Sequence, residues 1–177
     1  MIVIMSDPIS GIFHDARRQL APSGAFLFLT GGPVREIFFV ESGEVHLIRH
    51  TASGQRLILH RAGRGSVLAE ASAYSSQYHC DALVKVSGVL AALPKQIFLD
   101  ALAADPSVAS AWAASLAKAT QAARLRAEIR SLPRVAARLA AWLEAGNSLP
   151  ERGQWQDVAA ELGVTREALY RELARNR

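Results

Sequence analysis

The segment that decides the fold lies near the end of the chain, where residues 158–177 read VAAELGVTREALYRELARNR. An apolar-periodic stretch runs into Gly163, and a second stretch with helical spacing follows Thr165. A glycine can adopt the positive φ that a tight turn between helices needs, and a threonine is a favoured N-cap. Two short helices joined in this way are typical of a helix-turn-helix, so the segment predicts a unit that reads DNA.

The second of these helices has one apolar side and one charged side. Leu169 and Leu173 fall together, whereas Glu167 and Arg171 lie about 40° apart on roughly the opposite side. Arginine can donate two hydrogen bonds to guanine, and glutamate can accept one from cytosine. A surface helix whose charges simply face solvent is the alternative. The predicted DNA contacts are Thr165, Arg166, Glu167, Tyr170 and Arg171.

The distribution of charge points to the same part of the chain. The formal net charge is +4 at pH 7. Residues 1–117 contain 9 Lys and Arg against 9 Asp and Glu, whereas residues 118–177 contain 11 against 7. All of the positive excess therefore lies in the last third, as expected if that third meets a polyanion.

Residues before Pro94 have the pattern of short β-strands separated by glycine-bearing turns. Strands are predicted on both sides of Ser42-Gly43, in a hairpin whose turn contains Gly54, and on both sides of Ser87-Gly88. Closely spaced short strands are typical of an antiparallel sandwich or roll. The predicted fold class is therefore α+β, with an antiparallel, jelly-roll-like β-roll as a sensor domain over residues 1–105.

Helical patterns take over after Pro94. The run that begins at Pro106 contains no Gly or Pro before Pro133, and as a helix it would be a rod of roughly 38 Å. It packs either on the protein's own sheet or against a second copy, and its length favours a C2 homodimer. The predicted domains after the roll are a dimerisation helix over 106–131 and a helix-turn-helix domain over 132–177. The predicted dimerisation stripe is Val108, Trp112, Leu116, Ala119 and Ala123.

Several classes of protein are excluded by composition. The single cysteine, Cys80, excludes a disulfide within one chain and a thiolate zinc or iron–sulfur site. No apolar run approaches the ~20 residues of a membrane span. The opening MIVIM has neither the length nor the basic leader of a signal peptide. A cytoplasmic protein with no membrane partner is expected.

From about Phe26 to Arg175 the chain resembles the CRP/FNR family of bacterial transcription regulators. The stretch IFFVESGEVHLI resembles the family's strand-turn-strand, and QRLILHRAGRGSVLAEASAY resembles the next hairpin and the approach to a phosphate-binding cassette. GVTREALYREL is similar to the recognition helix, whose Arg, Glu and Arg correspond to Arg166, Glu167 and Arg171. The resemblance implies a cyclic-nucleotide-type β-roll, a long dimerising helix and a winged helix-turn-helix. It also implies double-stranded DNA with an inverted-repeat operator as the partner, and RNA polymerase is a further candidate.

Two departures from the family's pattern change what is expected. Its nucleotide binders have Gly-Glu at the start of the cassette and Arg-Ser or Arg-Thr at the end, whereas this chain has Ala69-Glu70 and Cys80-Asp81. The arginine clamps the cyclic phosphate, and neither a thiol nor a carboxylate can replace it. The roll is therefore expected not to bind cyclic AMP. Too few residues follow Arg175 for a two-stranded wing, so a helix-turn-helix without an evident wing is expected.

The roll could hold a different effector. Both His79 and Cys80 are residue types that ligate haem, but strand neighbours point to opposite faces, so only one can line the interior. Redox sensing by Cys80, a small organic ligand, and a roll that binds nothing and serves as a scaffold are the other interpretations. No cofactor or metal is predicted. The candidate pocket residues are Glu70, Tyr74, Tyr78, His79, Cys80 and Asp81.

A cupin-like jelly-roll metal enzyme is the competing class. Cupins need a His-x-His pair with a carboxylate and a further histidine around one metal. The five histidines include no pair separated by one residue, and no carboxylate stands obviously beside His46 and His50, which share a strand face by parity. No enzyme is therefore predicted. A third possibility is a β-roll interaction module whose helix-turn-helix docks on protein and does not bind DNA.

Overall fold

The computed structural model describes residues 8–52 and 54–175 and consists of two antiparallel sheets and six α-helices in that part of the chain. This architecture confirms the α+β class with a β-roll. The strands are β1 (Arg17–Ala21), β2 (Phe26–Phe28), β3 (Glu36–Val40), β4 (Glu44–His50), β5 (Arg56–Ala62), β6 (Val67–Leu68), β7 (Asp81–Val86) and β8 (Gly88–Pro94). The helices are α1 (Pro8–Ile12), α2 (Lys95–Ala104), α3 (Pro106–Ser131), α4 (Val135–Glu144), α5 (Trp155–Leu162) and α6 (Arg166–Arg175). Short 3-10 turns at Glu70–Ser72 and Arg152–Gln154 complete the order.

The strands are divided between the two sheets of the roll. One sheet has the order β1-β8-β3-β6, and the other has the order β2-β7-β4-β5. The predicted turns at Ser42-Gly43 and Ser87-Gly88 connect β3 to β4 and β7 to β8. A Cβ atom on Gly88 would lie 2.0 Å from the carbonyl oxygen of Ser42, so the two turns approach too closely for any residue with a side chain.

Two elements at the start of the described chain were not predicted from the sequence. One is the single turn of α1, and the other is β1, whose sequence is RRQLA. Because β1 lies at the edge of its sheet, its only fully buried residue is Ala21 and Leu20 is exposed. Such a strand lacks the alternation of apolar and polar residues that makes strands recognisable.

The described residues fall into two compact units. The first takes in the residues up to Ile48 together with His60–Lys118, and the second takes in Arg49–Leu59 and the residues from Ala119 onward. The long helix α3 thus gives its first half to one unit and its second half to the other. The domain boundaries expected from the sequence stay a prediction.

A chain of aromatic rings lies in the core of the first unit. The ring centroids of Phe13 and Phe39 are 5.4 Å apart, those of Phe13 and Phe98 are 5.9 Å apart, and those of Phe98 and Trp112 are 5.0 Å apart. Trp112 is only 4% exposed. This residue, expected on an intermolecular stripe, is therefore a core residue of its own chain, because its ring packs edge-on against α2.

Helix α3 begins at a side-chain cap, and most of its later side chains are exposed to solvent. The carboxylate of Asp105 accepts hydrogen bonds from the backbone N–H of Ser107 (2.8 Å) and from its hydroxyl (2.7 Å), and Pro106 occupies the first helical position. These bonds from Ser107 lower the pKa of the Asp105 carboxyl. From residue 113 to residue 128 every side chain is exposed except those of Leu116 and Arg126, which are half-buried.

The second unit has its own apolar core, to which four helices contribute. Helix α4 begins at Val135, and the residue before it, Arg134, is in an extended conformation. The core residues are Ile129, Leu139, Trp142, Val158, Ala159, Leu162 and Leu169, with Val135, Ala141, Trp155, Val164 and Leu173 packed against them.

Candidate nucleic-acid interface and effector pocket

The turn between α5 and α6 has the geometry expected for a helix-turn-helix. Gly163 ends α5 with φ +65°, in the left-handed region that favours glycine. The backbone N–H of Val164 donates to the carbonyl of Ala159 at 3.0 Å, and the Val164 side chain packs on the core. Ala159 and Ala160 are buried on the inner face of α5. As the sequence pattern predicted, the glycine forms the turn and the small residues lie on the inner face of the first helix.

Helix α6 is held by its apolar side and presents its charged side. The hydroxyl of Thr165 accepts a hydrogen bond from the backbone N–H of Ala168 at 3.2 Å, which confirms it as the N-cap. Leu169 is fully buried, and Leu173 packs against the same core. Glu167 and Arg171 on the charged side are exposed, and Arg166 in the first turn of α6 is exposed as well.

Tyr170 has a different environment from the other predicted DNA contacts. It is half-buried, and its ring meets Trp155 edge-on at 5.1 Å between centroids. The central carbon of the Arg166 guanidinium lies over the same ring, 5.1 Å from its centroid. Trp155 is fixed in turn, because its indole N–H donates to the carbonyl of Pro150 at 2.9 Å. Tyr170 is thus a platform that orients Arg166, and its own contact with DNA stays a prediction.

Two arginines of the basic third bind the turn of the helix-turn-helix from inside the second unit. Arg138 donates through Nη1 to the carbonyls of Leu162 (3.1 Å) and Gly163 (3.2 Å), and Arg130 donates through Nε to the carbonyl of Glu161 (2.7 Å). Burial lowers the pKa of the Arg130 guanidinium. Nothing in the sequence pattern indicated this role, since helical arginines are usually solvated. Their charges stabilise the C-terminal end of α5.

The cassette region keeps a special backbone conformation. Ala69 has φ +67° and ψ +18°, and it is the only residue other than glycine with a positive φ in the described chain. The position thus requires the conformation that the glycine of the family's Gly-Glu pattern adopts most easily. Three residues later, Ser72 is buried, and its hydroxyl oxygen lies 3.0 Å from Nδ1 of His79.

The six candidate pocket residues do not share one environment. Tyr78 is buried, stacks on Phe28 at 3.9 Å and donates its hydroxyl to the carbonyl of Glu36 at 3.0 Å. Burial raises the pKa of the Tyr78 hydroxyl. The carboxylate of Asp81 accepts from the backbone N–H (2.7 Å) and the hydroxyl (2.8 Å) of Thr30. Cys80 is buried, Glu70 is half-buried, and His79 is exposed.

Tyr74 lies with residues that were assigned to dimerisation. Its side chain is 72% exposed, and it lines an apolar groove of about 450 Å³ together with Trp112 and Leu116. The groove runs between α2 and the first half of α3. The structure therefore joins Tyr74 to the helical surface of the first unit.

The expectation that no carboxylate accompanies His46 is wrong. His46 is buried, and its Nε2 lies 2.5 Å from Oε1 of Glu44 on the same strand. The signal was present in the sequence, because residues two apart on a strand share a face. Among the described residues, no three His, Cys, Asp or Glu side chains are grouped so that they could hold a metal ion.

These features define a class of protein: a β-roll, a long helix and a helix-turn-helix in one chain. Residues 18–105 match the family model of the cyclic nucleotide-binding domain. That part of the chain is therefore similar to the cyclic nucleotide-binding domain family. No curated protein matches the chain in sequence.

Solved structures with the same fold extend the match beyond the roll. The c-di-GMP-responsive global regulator CLP of Xanthomonas campestris has a TM-score of 0.80 at 22% identity and covers 96% of this chain and 90% of its own. A transcriptional regulator of the CRP family from Thermus thermophilus has a TM-score of 0.71 at 18% identity, over 89% of this chain and 83% of its own. The catabolite activator protein of Thermus thermophilus has a TM-score of 0.59 at 25% identity, and the match covers 98% of this chain and 84% of that protein.

These matches confirm the resemblance: the chain has the fold of the CRP/FNR-family transcription regulators. The matched proteins are named as regulators or as an activator protein, in agreement with the prediction that this chain is not an enzyme. In the described part of the chain, no helix combines the length and the apolar character that crossing a membrane requires.

Proposed function

We propose that the protein is a homodimeric transcription regulator that binds an inverted-repeat DNA operator through α6 and does not use cyclic AMP as its effector. The observation that carries this proposal is the set of exposed side chains on α6. Arg166, Glu167 and Arg171 face outward while Leu169 and the Thr165 cap fix the helix. Glu167 and Arg171 on the charged side, with Arg166 reaching from the first turn, suit the edges of G·C pairs in the major groove.

The pre-orientation of Arg166 supports base reading over loose phosphate contact. Because its guanidinium already lies on Tyr170, less side-chain freedom is lost when it meets a base. Thr165 and the N–H groups at the start of α6 suit a phosphate oxygen beside the same base pairs.

The exposed middle of α3 supports the dimer. Residues 119–128 are exposed on every side of the helix except at the half-buried Arg126, and Leu125 is 45% exposed. A helix of this length gains little stability in water without an apolar partner surface. A second copy of α3 is the partner that we propose, with Ala119 and Ala123 in the seam where small side chains permit close approach.

The residues of the cassette region support the proposal that the effector is not cyclic AMP. Cys80 and Asp81 stand where the resemblance places the arginine clamp, and the Asp81 carboxylate is already bonded to Thr30. A carboxylate near a cyclic phosphate would repel it. Because CLP is c-di-GMP-responsive, c-di-GMP is a second nucleotide to test.

Selection of bound duplexes from a random pool tests the proposal, followed by quantitative binding of single-base variants. Arg171→Ala should lower operator affinity by ~1–3 kcal/mol and relax the preference at one base pair in each half-site. The matched control is Arg175→Ala, one turn further along the same helix, which should leave base preference unchanged. The proposal fails if the parent protein binds no duplex above background at low salt, or if Arg171→Ala leaves base preference untouched.

A further inference from the structure

The segment Arg49–Leu59 belongs to the second unit, and two of its residues, Arg56 and Ile58, contact the helices of that unit through polar groups. Nη2 of Arg56 lies 2.7 Å from Oδ1 of Asp157, in the first turn of α5. Asp157 is only 3% exposed, whereas about a third of the Arg56 side chain is exposed. A buried carboxylate needs a cation or donors around it, and Arg56 supplies a cation to the Asp157 carboxylate at the start of α5.

The guanidinium of Arg130 makes a second connection at the end of α3. Its Nε donates to the carbonyl of Glu161 near the end of α5, and its Nη2 donates to the carbonyl of Ile58. One side chain therefore ties the end of α3 both to α5 and to the strand segment. With the Arg56–Asp157 pair, α5 is held at both ends by groups that lie outside the helix-turn-helix.

We propose that Arg56, Arg130 and Asp157 are positioning residues that set the angle between the second half of α3 and the helix-turn-helix. This inference rests on the proposed function, because α3 carries the proposed dimer seam and α6 the proposed base contacts. In a dimer, that angle sets the distance between the two recognition helices. Residues 49–59 thereby determine which spacing of half-sites the protein accepts, without touching DNA themselves.

Spacing preference distinguishes this role from a contribution to stability alone. Base preference within a half-site depends on α6, whereas discrimination between half-site spacings depends on how rigidly the two helices are held. Loss of the Arg56–Asp157 pair should therefore leave base preference unchanged and weaken the discrimination between half-site spacings.

The experiment measures binding of the full chain to the selected inverted repeat and to versions with one base pair added or removed. Arg56→Met and Asp157→Asn are the test variants, Arg56→Lys is the conservative variant, and Arg49→Met is the matched control on an exposed residue of the same segment. The parent and Arg49→Met should bind the repeat of one spacing with an affinity about tenfold or more above that for the other spacings. For Arg56→Met and Asp157→Asn, the same ratio of affinities should be about threefold or less. Arg56→Lys should retain most of the discrimination.

Each result decides the question. Folded test variants that keep the parent's spacing discrimination would overturn the positioning role and leave the proposed function intact. If Arg56→Met does not fold, Asp157→Asn decides, because asparagine keeps the shape of the side chain and removes its charge. A parent that binds no duplex, or that has no spacing preference, would overturn the proposed function and this inference with it.

Discussion

Ala69 is in the left-handed region, at a position where glycine would adopt the same backbone conformation more easily. A non-glycine residue in the left-handed region is disfavoured by roughly 1–2 kcal/mol. The surrounding structure maintains this conformation, since Ala69 is buried and its carbonyl accepts a hydrogen bond from the N–H of Ser72. The backbone at Ala69 thus has a conformation that suits glycine, while Cys80 and Asp81 carry no positive charge.

Asp105 is a single residue on which the start of α3 depends. Replacement by alanine removes the acceptor for the Ser107 N–H and hydroxyl, so the melting temperature at pH 7 should fall by a few degrees. Because the pKa of Asp105 is lowered in the folded state, its stabilisation is complete above the ordinary value of 3.8 and is lost as the pH falls through the lower folded value. The difference between parent and variant should therefore shrink below pH 4.

Thermal unfolding followed by circular dichroism at several pH values measures this dependence. Asp100→Ala, on the exposed side of α2, is a control that removes a carboxylate from the middle of a helix. A parent-to-variant difference for Asp105→Ala that stays constant from pH 7 to pH 3 would contradict the capping role.

At the scale of elements, α3 offers a direct test of assembly. Ala123→Glu would place two carboxylates in the proposed seam, and their repulsion and desolvation should convert the dimer into a monomer at micromolar concentration. Gln121→Glu adds the same charge about 160° around the helix and should leave the dimer intact. Sedimentation velocity distinguishes the two states. A parent that is monomeric, or an Ala123→Glu variant that stays dimeric, contradicts the seam.

The strands and helices that could be predicted are those with local signals. Gly43, Gly54 and Gly88 marked turns between strands, and Pro106 marked the start of α3, because these residues constrain the backbone by themselves. Strand β1 carried no such signal, since an edge strand with two arginines and one buried alanine does not alternate.

The same distinction separates the parts of the candidate site. The cap at Thr165, the turn at Gly163 and the buried Leu169 lie within seven residues, so their pattern could be recognised in the sequence. Arg56 and Asp157 are 101 residues apart, and nothing in either neighbourhood indicates the other. Trp112 is a related case. Helical spacing places it on the predicted dimerisation stripe, but the spacing does not show that the Phe98 ring packs against it.

For the molecule as a whole, the roll should not respond to cyclic AMP. Without a cation at residues 80 and 81, the loss of a charge-assisted clamp corresponds to ~2–5 kcal/mol, or a factor of tens to thousands in affinity. Isothermal titration calorimetry should detect no binding at micromolar cyclic AMP, and the operator affinity should be the same with and without it. A dissociation constant in the low micromolar range would show that another cation takes the place of the clamp.

The net charge of the whole molecule overstates the number of basic side chains that can contact DNA phosphates. Arg130 and Arg138 donate to backbone carbonyls inside the second unit, so two of the cations in residues 118–177 are already engaged there. Each phosphate contact contributes about −0.9 to the slope of log affinity against log salt. The number of phosphates read from that slope should therefore be smaller than a count of basic residues indicates.

The uncovered middle of α3 also bears on how long the protein lasts in a cell. Proteases cut segments that open locally, and residues 119–128 of α3 are exposed except at the half-buried Arg126. In the proposed dimer the second copy shields this segment, so newly made chains at low abundance are degraded faster than chains that have found a partner. Turnover would then impose a threshold of synthesis below which the protein does not accumulate, and in the proposed regulator that threshold would sharpen the response of its target genes.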